Sequence, residues 1–175
     1  GRGYKYVGPL PQSVAADTTS AAERTSQKGN VPNYRAECVA REDELASLAA
    51  LLAKHRITSI IGPGGVGKTT LAVEMAARQQ ERFSGGVWIV DLAPVGDPVH
   101  VGSTVGQTLG MLTRKSTAIE NELAEYLRSE ELLLVFDNCE HVLGAVGEVL
   151  KAILARAPRV KVLATSQIPL ALPDE

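Results

Sequence analysis

The chain has 175 residues, with 18 Lys and Arg against 20 Asp and Glu, so its formal net charge is −2 and its pI is near 6.0. That length can bury the core of one ordinary domain, and a hydrophobic content of 45% excludes a disordered or fibrous chain. The balanced charge also argues against a chain that grips nucleic acid over its whole surface.

The sequence favours a cytoplasmic protein with no membrane partner. No apolar run approaches the roughly 18 residues of a membrane span, and no charged-then-apolar leader opens the chain. Cys38 and Cys139 are too few and too far apart for a disulfide framework or a zinc site, which suits a reducing compartment. Because the first residue is Gly1, we expect the sequence to be a piece of a longer protein.

Residues 11–34 differ in composition from the rest of the chain. They are rich in Ser, Thr, Ala, Gln, Gly and Pro and lack apolar periodicity, which predicts a flexible linker. From Arg41 onward, helical spacing of apolar residues alternates with short apolar runs. In chain order, the pattern predicts a helix over 42–55, a strand over 57–61, a helix over 69–80, a strand over 86–92, a helix from Asp97-Pro98, a helix over 117–128, a strand over 132–136, a helix from Val142 until Pro158 and a strand over 160–165.

This alternation predicts the α/β class, with a mostly parallel sheet covered by helices on both faces. The strand runs are almost continuously apolar, as expected when both faces of a sheet are buried.

A glycine-rich motif stands between the first predicted strand and the next helix. It matches G-x-x-x-x-G-K-[ST], a phosphate loop (Walker A motif), whose backbone N–H groups and helix N-terminus cradle phosphates. Lys68 would reach the β- and γ-phosphates, Thr69 would bind Mg²⁺, and Thr70 would lie near the α-phosphate. The predicted nucleotide-binding residues of this motif are Gly62, Pro63, Gly64, Gly65, Val66, Gly67, Lys68, Thr69 and Thr70.

An acid ends the third predicted strand. Residues 132–136 are apolar and Asp137 follows, so its carboxylate would face the crevice at the carboxyl ends of the strands. There it could hold Mg²⁺ through water, together with Thr69. Strands also end in Asp for reasons of turn formation, so a cap of the next helix is the alternative.

Four ordered segments together resemble the STAND class of signal-transduction NTPases, the NB-ARC-like group. They are Val39-Ala40-Arg41-Glu42-Asp43-Glu44-Leu45, the phosphate loop, LLLVFDNCEHVL from Leu132 and VLATSQIPL from Val162. The resemblance covers about residues 35–175 and implies a P-loop NTPase three-layer sandwich that binds ATP or ADP. It implies that Val39 and Arg41 line the adenine site, although Ala40 replaces the usual Gly and Arg41 could instead be a surface charge.

The first ten residues carry a second resemblance. Gly1-Arg2-Gly3-Tyr4-Lys5-Tyr6-Val7 is similar to the closing strand of an OmpR-type winged-helix DNA-binding domain, with a meaningless basic tail as the alternative. The resemblance implies three parts: the tail of a winged-helix domain over 1–10, the linker over 11–34 and the NTPase domain over 35–175. Its DNA-reading helix would then lie upstream of the sequence given.

The family resemblance also implies the sheet order 5-1-4-3-2. The four predicted strands match one to four, so the fifth strand and the C-terminal lobes that close over the nucleotide would lie beyond residue 175. We therefore expect an exposed apolar sheet edge beside 57–61 and weaker nucleotide affinity than in an intact protein. Homo-oligomers on activation are a further expectation.

Two departures from the family pattern bear on hydrolysis. Asn138 stands where many ATPases of this broad class have an acid that polarises water, and Glu140 could substitute or could simply be a favourable charge near a helix N-terminus. In relatives an Arg at the end of the sensor strand contacts the γ-phosphate. Gln167 takes that place here and cannot neutralise charge, so we expect slow hydrolysis.

The function predicted is an ATP/ADP-binding regulatory switch that controls transcription, with slow Mg²⁺-dependent hydrolysis. Phosphoryl transfer to a small acceptor and a non-hydrolysing structural domain are the alternatives; no acceptor pocket favours the first, and Lys68, Thr69 and Asp137 speak against the second. Adenine over guanine rests on the resemblance, since no N-K-x-D is present. The sequence leaves the inducing signal, the DNA operator and the resting nucleotide open.

Overall fold

The computed structural model describes residues 28–32, 41–111, 119–170 and 172. Helices and strands alternate there, as the sequence predicts. Their bounds are α1 (Glu42–Lys54), β1 (Ile57–Ile61), α2 (Lys68–Gln79), β2 (Val87–Asp91), α3 (Val101–Thr108), α4 (Ile119–Tyr126), β3 (Leu133–Asp137), α5 (Leu143–Arg156) and β4 (Lys161–Ser166). The predicted winged-helix tail, residues 11–27 of the predicted linker and Val39 lie outside the described residues.

The helix predicted from Asp97-Pro98 begins as a tighter turn. Pro98–His100 is 3₁₀-helical and the α-helix starts only at Val101. The Asp97 carboxylate accepts a hydrogen bond from the Val99 N–H at 3.0 Å, which closes this first turn.

The strands form a parallel sheet in the order β1-β4-β3-β2. One of its two inner strands, β3, is buried along its whole length. Leu133 and Val135 pack on one face of the sheet, and Leu134 and Phe136 on the other. This explains the continuous apolar run in the sequence, since alternation would be needed only if one face met water.

Two helical layers cover the sheet. Helices α1 and α2 pack on one face through residues such as Leu48 and Met75, while α3, α4 and α5 cover the other through residues such as Leu123 and Leu150. The domain is therefore an α/β three-layer sandwich, and the predicted fold class is confirmed.

The outer edge of β1 borders an open groove. Leu51, Ile57, Ile61 and Pro169 are among its lining residues, its volume is about 480 Å³, and Leu51 and Ile61 are about half exposed (47% and 48%). In the described part of the chain, β1 pairs only with β4, which agrees with the 1-4-3-2 portion of the expected order. A fifth strand stays a prediction.

Residues 28–32, inside the predicted linker, lie along the free edge of β2. Gly29 forms a parallel bridge with Val87, and the Asn30 N–H donates to the Val87 carbonyl at 3.2 Å. The Asn30 side chain donates to the Ile89 carbonyl (2.8 Å) and accepts from the Ile89 N–H (2.6 Å). A side-chain amide thus satisfies both backbone groups of one edge residue.

Among the helices that the structure describes, none combines the length and the apolar character that crossing a bilayer requires. The longest of them, α5, has 14 residues, against about 20 for a spanning helix.

Candidate nucleotide-binding site

The phosphate loop occupies the turn between β1 and α2, at the carboxyl ends of the strands. The Gly62 N–H donates to the Ser166 carbonyl at 3.2 Å, which ties the start of the loop to the end of β4. Helix α2 begins at Lys68, directly after the last glycine of the motif. In open parallel sheets this edge is where ligands bind.

Glycine is required within the loop by the backbone itself. Gly65 has φ +79° and Gly67 has φ +86°, conformations that side chains with a β-carbon rarely adopt. Gly67 is the residue before α2, so its left-handed turn leads directly into a helix whose first N–H groups have no intrahelical acceptor. Such N–H groups, with the helix dipole, form a site for an anion.

The Lys68 ammonium lies against the loop. Its Nζ donates to the Gly62 carbonyl at 2.8 Å and to the Pro63 carbonyl at 3.0 Å. These bonds hold the positive charge beside the glycine-rich turn, so an anion in the loop would meet both a cation and backbone N–H groups.

The two residues predicted to hold Mg²⁺ are in contact. The Thr69 hydroxyl donates to Asp137 Oδ1 at 2.9 Å, although the residues are 68 positions apart. Asp137 is buried, with 6% of its surface exposed. One hydroxyl and one carboxylate fit Mg²⁺, which prefers oxygen ligands and keeps several sites for water and phosphate.

Thr165, at the end of β4, is a site residue that sequence reasoning missed. Its side chain is fully buried, and its hydroxyl donates to Asp137 Oδ1 while it accepts the Asn138 N–H at 3.0 Å. The sensor-strand sequence Thr165-Ser166-Gln167 was a signal, but the partner of the threonine depends on the pairing of β3 with β4.

Asn138 turns the chain sharply after β3. Its backbone is left-handed (φ 62°, ψ 54°), a conformation that asparagine tolerates better than most residues. Its side-chain Nδ2 donates to Asp137 Oδ2 at 3.1 Å. Asp137 therefore receives bonds at both oxygens, and Asn138 orients the acid without acting as one.

Glu140 and Gln167 contact each other. Glu140 lies in the short helix Cys139–His141, and its Oε1 accepts a hydrogen bond from Gln167 Nε2 at 2.9 Å. Burial of the carboxylate opposes ionisation, but its own backbone N–H, the Gln167 amide and the Lys68 charge together hold the pKa of Glu140 below its ordinary value. Glu140 is thus ionised at neutral pH.

Arg41 lies next to the phosphate loop. Its Nη2 donates to the Val66 carbonyl at 2.8 Å, and a β-carbon on Gly67 would lie 3.4 Å from its Nη1. Arg41 immediately precedes α1, and Arg78 of α2 holds that helix end through two bonds of 2.8 Å to the Glu42 carboxylate. The expected adenine contact of Arg41 stays a prediction.

The remaining conspicuous side chains have ordinary roles. Cys139 is fully buried, and burial together with the Asp137 charge raises the pKa of its thiol to about 12. A ring nitrogen of His141 lies 3.0 Å from the Val95 carbonyl, and Trp88 Nε1 donates to the Gly85 carbonyl at 3.1 Å. Across the ranges that the structure describes, no three His, Cys, Asp or Glu side chains cluster as a metal cage.

Comparison with solved structures finds chains that share this fold. The crystal structure of Cdc6p from Pyrobaculum aerophilum matches 79% of this chain with a TM-score of 0.58 and 16% identity, and the match covers 41% of that chain. The Aeropyrum pernix ORC2 protein, solved in ADPNP–ADP complexes, matches 77% of this chain with a TM-score of 0.55 and 20% identity, over 43% of its own length. At such identities the likeness shows the fold alone.

Sequence comparison is more specific. The NB-ARC domain family matches residues 41–167, and the chain belongs to that family. The Mycobacterium tuberculosis protein named "Putative HTH-type transcriptional regulator Rv0890c" is 34% identical over 128 residues, which is 73% of this chain and 14% of that protein. Regulatory protein AfsR of Streptomyces coelicolor is 28% identical over 148 residues, 74% of this chain and 15% of that protein. The chain thus spans about one seventh of the length of these regulators.

Proposed function

We propose that this chain is the ATP/ADP-binding module of a longer regulator of transcription, in which bound nucleotide sets a regulatory state. The observation that carries the proposal is the Thr69–Asp137 contact of 2.9 Å, because it joins the phosphate loop to the acidic end of β3. Oxygen atoms that could bind Mg²⁺ thereby lie beside backbone N–H groups that could receive phosphates. Membership of the NB-ARC family supports the same ligand class.

The residues of the loop would bind and orient the polyphosphate. Backbone N–H groups of 62–67 and the first turn of α2 would receive the phosphate oxygens, with the Lys68 ammonium as the cation. Thr69 and Asp137 would hold Mg²⁺, which when bound offsets phosphate charge. Val39 and Arg41 would contact the adenine, Gln167 would lie near the terminal phosphate, and Thr70, in the first turn of α2, would reach the α-phosphate.

Hydrolysis would be slow. A water held by the Glu140 carboxylate would form a bond to the γ-phosphorus while the bond from that phosphorus to the ADP oxygen breaks. ADP leaves with the electron pair, and the proton of the water passes to the carboxylate and then to phosphate or solvent. The Asn138 side chain is hydrogen-bonded to Asp137, and position 167 has no arginine to offset the charge that develops on the phosphate. The site therefore suits a slow regulatory switch better than a fast enzyme.

The wider assembly follows the same proposal. DNA would be bound by an upstream winged-helix domain that ends within residues 1–10, and further C-terminal lobes would close over the nucleotide, with homo-oligomers on activation. The similarity to an HTH-type transcriptional regulator supports an output in transcription and, with it, a cytoplasmic location.

Calorimetric titration of ATP and of ADP with Mg²⁺ tests the proposal. We expect Lys68→Ala to weaken both nucleotides by about tenfold or more, because a charge-assisted bond to phosphate is lost. Lys151→Ala is the matched control, since Lys151 is exposed on α5 and its ammonium pairs with Glu148 at 2.9 Å. Absence of binding by the wild type, or equal affinity for wild type and Lys68→Ala, would overturn the proposal.

A further inference from the structure

Glu140, which could substitute for the acid missing at Asn138, and Gln167, which takes the place of the sensor arginine, form one unit. They come from different segments, after β3 and after β4, and are joined by a hydrogen bond of 2.9 Å. Strands β3 and β4 are hydrogen-bonded neighbours, so the segments that follow them leave the sheet side by side. The pair therefore follows from the topology and not from proximity in sequence.

This pair lies beside the phosphate loop. A β-carbon on Gly64 would lie 4.0 Å from Gln167 Nε2, so the amide reaches the glycine-rich turn itself. The positive charge of Lys68 also acts on the Glu140 carboxylate. Glu140 is thus next to the loop while remaining distinct from Thr69 and Asp137, which bond each other.

One oxygen of Glu140 has no partner. Its Oε1 is occupied by Gln167, whereas Oε2 is buried and receives no hydrogen bond from the residues that the structure describes. A buried, ionised oxygen without a donor is unfavourable, so this atom calls for a donor beyond those that the described residues supply. A water bound together with the nucleotide would be such a donor.

We infer that Gln167 is a positioning residue for Glu140: its amide holds Oε1 and leaves Oε2 as the acceptor for the water that would attack the terminal phosphate. The inference rests on the proposed function. It gives Gln167 a role different from that of the arginine it replaces, because Gln167 acts through a carboxylate and not on phosphate charge. The bonds made and broken are those of the hydrolysis above, with Oε2 accepting the hydrogen of the water.

Single-turnover ATP hydrolysis and calorimetric binding of ADP with aluminium fluoride test this inference. We expect Gln167→Ala to slow hydrolysis by about ten- to a hundredfold, the factor that a hydrogen bond to a charged group represents. Binding of ADP with aluminium fluoride, which imitates the attacked phosphate, should weaken by a similar factor, while ADP alone binds within about threefold of wild type. Gln167→Arg, which keeps an N–H donor, should hydrolyse at least as fast as wild type.

A double-mutant cycle tests whether Gln167 acts by positioning Glu140 or contributes to hydrolysis independently of it. Glu140→Gln should reduce hydrolysis by about a hundredfold or more, and adding Gln167→Ala should then change little, since both act through one carboxylate. Gln107→Ala, on the exposed side of α3, is the matched control.

Several outcomes would overturn the inference. They are multiplicative effects of the two substitutions, a Gln167→Ala variant that hydrolyses and binds like wild type, and a Gln167→Arg variant as slow as Gln167→Ala. A wild type that binds nucleotide but does not hydrolyse ATP would overturn the inference and leave the nucleotide-binding proposal intact. Loss of ADP binding in the wild type would refute both, and the Lys68→Ala titration identifies that case.

Discussion

Thr165 offers the sharpest test of how the site is held together. Its hydroxyl is the only group of its side chain that can hydrogen-bond, and it serves two partners: it donates to Asp137 Oδ1 and accepts the Asn138 N–H at 3.0 Å. Replacement by valine preserves the shape of the side chain and removes both bonds. The change therefore isolates the hydroxyl from the packing of a fully buried position.

The expected loss is about 3 kcal/mol of unfolding free energy. A hydrogen bond to a charged carboxylate contributes about 1.5–3 kcal/mol, and the buried Asp137 keeps the Thr69 and Asn138 donors once this bond is gone. The Asn138 N–H is only partly buried, so water can replace its acceptor and about 1 kcal/mol is the further cost. For a domain of this size that loss lowers the melting temperature by about 6–12 °C.

Urea and thermal unfolding of Thr165→Val and Thr165→Ser measure the effect. Serine keeps the hydroxyl and loses one methyl group, so we expect it to cost about 1 kcal/mol and to retain nucleotide binding. Should Thr165→Val unfold within about 1 kcal/mol of wild type, or should serine cost as much as valine, the hydroxyl would not hold Asp137 and the account of this site would be wrong.

Three further predictions concern separate features. Gly67→Ala should destabilise by about 1–2 kcal/mol and weaken nucleotide binding, because a β-carbon is strained at its φ of +86°. Gly65→Ala, at φ +79°, should have a similar effect, and melting curves that match wild type for both variants would contradict the left-handed conformations. Asn30→Ala should speed hydrogen exchange of the Ile89 amide by about tenfold, whereas Asn30→Asp, which keeps the acceptor, should not; unchanged exchange in both would show that residues 28–32 do not hold this edge. Because burial raises the pKa of the Cys139 thiol to about 12, native protein at pH 8 should leave it unmodified by a disulfide reagent until urea unfolds the chain, measured in a variant whose other cysteine is serine; prompt labelling would refute the burial.

The fold was predictable because its signals are local. Continuous apolar runs identify strands with two covered faces, and the glycine motif fixes where β1 ends and α2 begins. The start of α3 was harder to predict. Asp97-Pro98 signals a helix start, but whether the first turn is 3₁₀ or α depends on how Val101 packs in the core. The strand order came from family resemblance, since periodicity alone does not say which strands are neighbours.

The sequence predicted which residues of the candidate site lie close together better than it predicted their individual contacts. The spacing of the glycine motif and an acid after an apolar strand predicted that Thr69 and Asp137 act together, and the structure joins them. The position of Arg41 against the Val66 carbonyl depends on how α1 docks on α2, a tertiary matter that no local pattern records. The left-handed backbone of Asn138 likewise depends on the hydroxyl that receives its N–H.

Most of the site contacts that the sequence did not predict are made by residues at the end of β4, and the sheet order explains why. Strand β4 lies between β1, which leads into the phosphate loop, and β3, which leads to Asp137. A side chain at the carboxyl end of β4 can therefore touch both phosphate-binding elements, as Thr165 touches Asp137 and Gln167 touches Glu140 beside Gly64. Any shift of a bound phosphate group would act on β4 from both sides. Substitutions at the carboxyl end of β4 should therefore alter both the rate of hydrolysis and the free energy of unfolding. Substitutions at the amino end of β2, away from the site, should alter the free energy of unfolding alone.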